Sequence, residues 1–238
     1  MKTQRSHDEF YLHEDRYEKV KESFKFIFEN TFNPEELINP NEICDLGCAT
    51  GEFIHFLKTK TTNSTFYGLD IMKSLLRRAM ENLPNENFKC GSVLDKNLYN
   101  KNSFDKIFLN GVLTIFDNFE PVFNNMINWT KKGGYVYVFG MFNPYPIDVL
   151  VKHKLSENYS ANIYEEGWNN HSIESVSNFL SNNRDVSEFN FKKFEIQIDL
   201  KESNDIRRGW TFKNSDNKRV ITNGLCIIQN QYLLSIRV

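Results

Sequence analysis

Several things are scarce in this 238-residue chain, and each scarcity removes a class of protein. Residues 1–14 are mostly polar and charged, without the apolar core of a secretory leader, and no apolar run approaches the ~20 residues that span a bilayer. A membrane partner is therefore not expected. Charge of one sign is not in excess: the formal net charge is −2, which leaves no electrostatic footprint for nucleic acid. Cys44, Cys48, Cys90 and Cys226 form no Cys-x-x-Cys pair, so reduced thiols in a cytoplasmic protein are expected, with Cys44 and Cys48 in the core. The histidines never fall at His-x-x-x-His spacing, and no metal is expected. No flexible linker or internal repeat stands out, so residues 1–238 read as one domain, with 40% hydrophobic and 14% aromatic content to fill its core.

What is present is a rhythm. Residues 14–30 carry Tyr17, Val20, Phe24, Ile27 and Phe28 at helical spacing, which predicts an amphipathic helix within an N-terminal cap over residues 1–40. From there strands are predicted over 41–46, 64–70, 87–90, 104–110 and 135–139, with helices after 51, 72 and 120. Short strands alternating with helices predict an α/β fold with a doubly wound, mostly parallel sheet. The rhythm then changes. Residues 141–188 are too many for a connector and are expected to form a lid, with helices near 147–154 and 173–180. Strands over 189–200 and 231–238 complete seven.

Ligands of a doubly wound sheet sit at the carboxyl ends of its strands. The first strand ends in Asp45-Leu46-Gly47-Cys48-Ala49-Thr50-Gly51-Glu52, an acid followed by a small-residue turn into a helix. The second ends in Asp70, an acid that can accept hydrogen bonds from both hydroxyls of a ribose, next to Ile71, which can lie against an adenine. The third leads to Gly91-Ser92-Val93 and the fourth to Asn110.

As a set, over residues 40–140, these stretches resemble motifs I to IV of the class I S-adenosylmethionine (SAM) dependent methyltransferases. Lys131-Lys132-Gly133-Gly134 is similar to the turn that precedes the family's fifth strand. Two positions depart from the family pattern: Ala49 stands for the middle glycine of the turn, and Ser92 for an aspartate. The resemblance implies a Rossmann-like fold of seven strands, SAM as cofactor and a small-molecule acceptor. It puts Asp45, Gly47, Ala49, Gly51, Asp70, Ile71, Ser92, Val93 and Asn110 around the cofactor. Tyr11 and Arg16 are candidates to cover it, Arg16 by pairing with a carboxylate.

The acceptor is expected to meet the lid, through Asn143, Tyr145, Trp168, Asn169 and His171. An oxygen acceptor must lose a proton, and His171 has the pKa range of a general base. The amide, hydroxyl and imidazole groups of the lid favour O-methylation of a sugar, a nucleotide-linked sugar or a related polar precursor. Two other readings stay open: a nicotinamide-dependent oxidoreductase on the same sheet, which Glu52 at the helix start opposes, and a non-catalytic SAM-binding partner protein.

Overall fold

The computed structural model describes residues 11–12, 16–156 and 164–238. The opening residues 1–10 and the predicted helix start at 14 lie outside them. The elements are α1 (Glu22–Thr31), β1 (Glu42–Leu46), α2 (Glu52–Lys58), β2 (Thr65–Asp70), α3 (Lys73–Asn82), β3 (Asn87–Cys90), β4 (Phe104–Asn110), α4 (Glu120–Trp129) and β5 (Thr130–Asn143). Then come β6 (Lys152–His153), β7 (Glu165–Glu166), β8 (His171–Ser172), α5 (Ile173–Ser181), β9 (Glu188–Lys193), β10 (Trp210–Lys213), β11 (Arg219–Thr222) and β12 (Gln231–Arg237).

The central sheet runs β3-β2-β1-β4-β5-β12-β9. Its first five strands are parallel, and β12 lies antiparallel between β5 and β9. Strand order reverses between β1 and β4, so a crevice opens at their carboxyl ends. Strands buried on both faces need apolar residues at consecutive positions: Ile107, Phe108 and Leu109 of β4 are all fully buried. Ile107 and Leu109 meet α4 and α5 through Val122, Phe123 and Val176. Phe108 points the other way, into Phe24, Ile27, Phe53 and Leu57 of α1 and α2. Period-two alternation thus builds two core layers.

Several predicted elements change. Helix α1 begins only at Glu22, because Tyr17 is drawn aside: its hydroxyl donates to Thr50 O at 2.6 Å and its ring packs on His55. Residues 147–154 are extended instead of helical, since Val149 bridges Asn170 and Lys152–His153 pairs with Glu165–Glu166. Strand β5 starts early and passes Lys131–Gly134 as a bulge against β4. Gly134 is required there, because a Cβ would stand 2.7 Å from Asp105 O. The strand predicted over 189–200 stops at Lys193. A hairpin, β10–β11, fills the interval before β12; its alternation is too short to read against so many polar neighbours. Buried Arg207 ties this second insertion to the first, by Asp205 at 2.9 Å and Glu165 at 3.3 Å.

Candidate active site

The turn after β1 is closed by its own backbone. Gly47 N and Cys48 N both donate to Leu69 O, at 2.7 and 2.9 Å, and Gly51 N donates to Cys48 O at 2.9 Å. Gly47 has φ +73°, and a Cβ on it would stand 2.4 Å from Val112 Cγ2, so only glycine fits. Ala49 takes φ +48° in the same turn, a left-handed conformation that a side chain resists. Its N–H donates to Asp70 Oδ2 at 2.9 Å, and Met72 N donates to Asp70 Oδ1 at 2.9 Å. Asp70 therefore fixes both turns of the crevice.

Three carboxyl groups converge here. Asp45, at the end of β1, is buried, and its pKa is pushed up to about 8, first by burial and then by the Asp70 charge. Asn110 Nδ2 lies 3.4 Å from Asp45 Oδ1 and opposes that rise. Glu52, in the first turn of α2, is also buried, and burial raises its pKa. Glu52 Oε1 and Asn110 Oδ1 have no hydrogen-bond partner among the described residues. An unsatisfied buried acceptor costs roughly 1–3 kcal/mol, so this crevice calls for a donor-bearing or cationic guest.

Lys21, just before α1, comes to these acids, and sequence reasoning missed it. Its ammonium lies 5.4 Å from the Phe24 ring and 5.8 Å from the Tyr11 ring. Burial, then the neighbouring Arg16, lowers its pKa to about 8 against the pull of Glu52 and Asp45. A lysine just off an apolar stripe carries no signal of this in sequence. Tyr11, Arg16, Tyr17 and Lys21 thus gather at one side of the crevice, and Arg78 holds the arm by donating to Leu12 O.

The rest of the expected cofactor set is distributed unevenly. Ile71 is exposed beside Asp70. Ser92 Oγ accepts from Leu94 N at 3.2 Å. Val93 turns its side chain into the core, and its carbonyl accepts from Asn125 Nδ2 at 2.7 Å.

The residues expected to meet the acceptor are mostly committed elsewhere. His171 is a correction: it is 2% exposed, its Nε2 lies 2.9 Å from Phe116 O, and its ring packs on Phe119. A ring so enclosed anchors β8 to the β5 end. Asn169, also buried, accepts from Val151 N and donates to Asp117, both at 2.8 Å, which accounts for its amide. Asn143 closes a turn, accepting from Tyr145 N at 3.2 Å and donating to Ile147 O at 2.8 Å. Trp168 packs on His153 at 5.3 Å. Tyr145 alone of the five stands well exposed.

A dinucleotide pyrophosphate draws on free N–H groups in the glycine turn, and here those of Gly47, Cys48, Ala49 and Gly51 are taken. Acidic acceptors in their place suit the sulfonium and ammonium of SAM.

Comparison with known proteins agrees. A family profile described as "Methyltransferase domain" matches residues 40–199. Protein 235L of Invertebrate iridescent virus 6, whose name proposes a methyltransferase, is 23% identical over 116 residues, which is 48% of this chain and 43% of that protein. This chain therefore spans under half the length of that curated relative. Among solved structures, YcgJ of Bacillus subtilis superposes with TM-score 0.60 at 12% identity, covering 90% of this chain and 97% of that one. A SAM-dependent methyltransferase of Methanosarcina mazei gives 0.56 at 14% identity, covering 87% and 99%. Phosphoethanolamine N-methyltransferase 2 of Haemonchus contortus, solved with SAM, gives 0.55 at 14% identity, covering 73% of this chain and 38% of that one. The sheet order and the profile match over two-thirds of the chain make one conclusion: this protein belongs to the methyltransferase-domain family.

Proposed function

We propose that this enzyme moves a methyl group from SAM to a hydroxyl of a small-molecule acceptor, with the crevice residues divided between the two ends of the cofactor. Asp70 accepts from the ribose hydroxyls. Ile71 lies on the adenine face, and Ser92 with the Val93 N–H reads the adenine edge. Asp45, Glu52 and the Asn110 carbonyl oxygen face the ammonium and sulfonium end. Gly47, Ala49 and Gly51 keep the turn low enough for contact, and Lys21 with Arg16 takes the methionine carboxylate. Tyr11 and Tyr17 close the crevice against water.

When bound, SAM supplies a methyl group already activated by the sulfonium. The chain's task is then to align the acceptor and keep water away, and positioning of that kind is worth up to about 7–11 kcal/mol of the barrier. Since His171 is engaged with Phe116 O, its role in this account is to hold the wall of the acceptor site. The sugar or nucleotide-linked sugar expected from composition stays a proposal, and a weakened one, because the amides of Asn143 and Asn169 serve the protein's own backbone. The observation that carries the cofactor assignment is the trio Asp45, Glu52 and Asp70 beside a turn in which the N–H groups of Gly47, Cys48, Ala49 and Gly51 are satisfied.

Calorimetry of the wild-type protein with S-adenosylhomocysteine and, separately, NAD tests the assignment. Micromolar binding of the first and none of the second is expected. Binding of NAD alone would return the crevice to a nicotinamide cofactor.

A further inference from the structure

The polar groups that make the segment after β5 look like a sugar site are used up inside it. Besides Asn143, Asn169 and His171, Asp148 accepts from Ser172 N at 2.5 Å and from Ser175 Oγ at 2.8 Å, and Ser172 Oγ caps α5 by accepting from Ser175 N at 3.0 Å. What this segment shows to solvent is the reverse of its composition. Tyr145 is 69% exposed, Ile147 60%, Leu150 53% and Val149 42%. Four large apolar side chains within six residues, all presented outward, are costly unless something covers them.

The position of this strip names its occupant. It follows directly on the carboxyl end of β5, beside the crevice. Val149 and Asn170 exchange backbone hydrogen bonds at 3.0 and 2.8 Å, and Asn169 N donates to Thr114 O at 2.8 Å. Thr114 Oγ1 in turn reaches Gly111 O, at 3.4 Å, in the residue next to Asn110. An unbroken run of hydrogen bonds thus joins the apolar strip to the fourth strand's end, where the cofactor's reactive end is assigned.

The geometry points to an acceptor whose reacting hydroxyl is carried on an apolar body, alkyl or aromatic, with Tyr145, Ile147, Val149 and Leu150 as the surface that covers that body. A small free sugar would leave these side chains bare. The inference rests on the cofactor assignment above, because only that assignment makes the end of β4 the reacting end.

The test uses two acceptor mimics with the same sugar head, methyl β-glucoside and octyl β-glucoside below its micelle concentration. Each is titrated into protein saturated with S-adenosylhomocysteine. The octyl compound should bind at least tenfold tighter. In the Ile147→Ser, Leu150→Ser double variant that preference should disappear while S-adenosylhomocysteine affinity stays as in the wild type, which also reports an intact fold. Equal binding of the two glucosides, or a preference that survives in the double variant, overturns the inference and leaves the cofactor assignment standing. Co-sedimentation with phosphatidylcholine vesicles, lost in the same variant, also overturns it by making the strip a lipid-facing surface. Failure of the wild type to bind S-adenosylhomocysteine at all removes the cofactor assignment, and this inference with it.

Discussion

At the amino end of β4 a buried lysine has its charge answered; at the carboxyl ends of β1 and β4 buried acceptors are left over. Lys106 is 2% exposed, yet its ammonium donates to Thr31 O at 2.6 Å and pairs with Glu36 at 2.7 Å. The ring of Phe32 lies 4.7 Å away. Burial lowers its pKa, and Glu36 opposes the fall. Asp45, Glu52 and Asp70 at the other end crowd like charges together, and Glu52 Oε1 and Asn110 Oδ1 lack partners among the described residues. The same sheet therefore carries polar groups placed for folding at one end and, on the proposed reading, polar groups placed for a guest at the other.

The sharpest way to break this comparison is at the folding end. Lys106→Ala strands Glu36 and removes the link between the α1 exit and β4. We expect a loss of about 3–5 kcal/mol of stability in urea unfolding, with S-adenosylhomocysteine affinity unchanged. A parallel loss of affinity would show that the two ends are not separate.

At the guest end, Asp70→Ala frees the N–H groups of Ala49 and Met72. It should cost about 1–3 kcal/mol in the same unfolding assay, less than Lys106→Ala, and also weaken the cofactor.

Asp45 makes the contrast pH-dependent. Its folded pKa of about 8 stands above the ordinary 3.8, so the native state keeps a proton that the unfolded chain gives up. Asp45's contribution to stability without cofactor should be full below pH ~4, decline as pH rises to about 8, and level off beyond. In Asp45→Asn, thermal midpoints measured across that range should lose this decline.

The smallest effect expected is at Ala49, held at φ +48°. Ala49→Gly relieves the left-handed strain and should raise stability by about 1 kcal/mol, read as an increase in urea midpoint. A decrease would mean that the methyl group has packing worth more than the strain.

Legibility in the sequence follows the same division. The β1 turn was readable because backbone geometry restricts residue type: only glycine fits at Gly47. The parallel strands were readable because burial on both faces writes an apolar run such as Ile107-Phe108-Leu109. Lys21 was not readable, since its place depends on Tyr17 pulling the chain out of helix toward Thr50 O. Nor were the roles of Asn169 and His171. Their partners, Asp117 and Phe116, lie 52 and 55 residues away in sequence, and nothing local separates an amide spent on the protein from one offered to a substrate.

The central claim is that Asp70, with Glu52 Oε1 and Asn110 Oδ1, which lack partners among the described residues, receives SAM. Calorimetric titration of S-adenosylhomocysteine into wild type and Asp70→Ala tests it most directly. The account predicts micromolar binding that weakens at least tenfold, about 1.4 kcal/mol, in a variant that remains folded by circular dichroism. Equal affinity in the two folded proteins would contradict it.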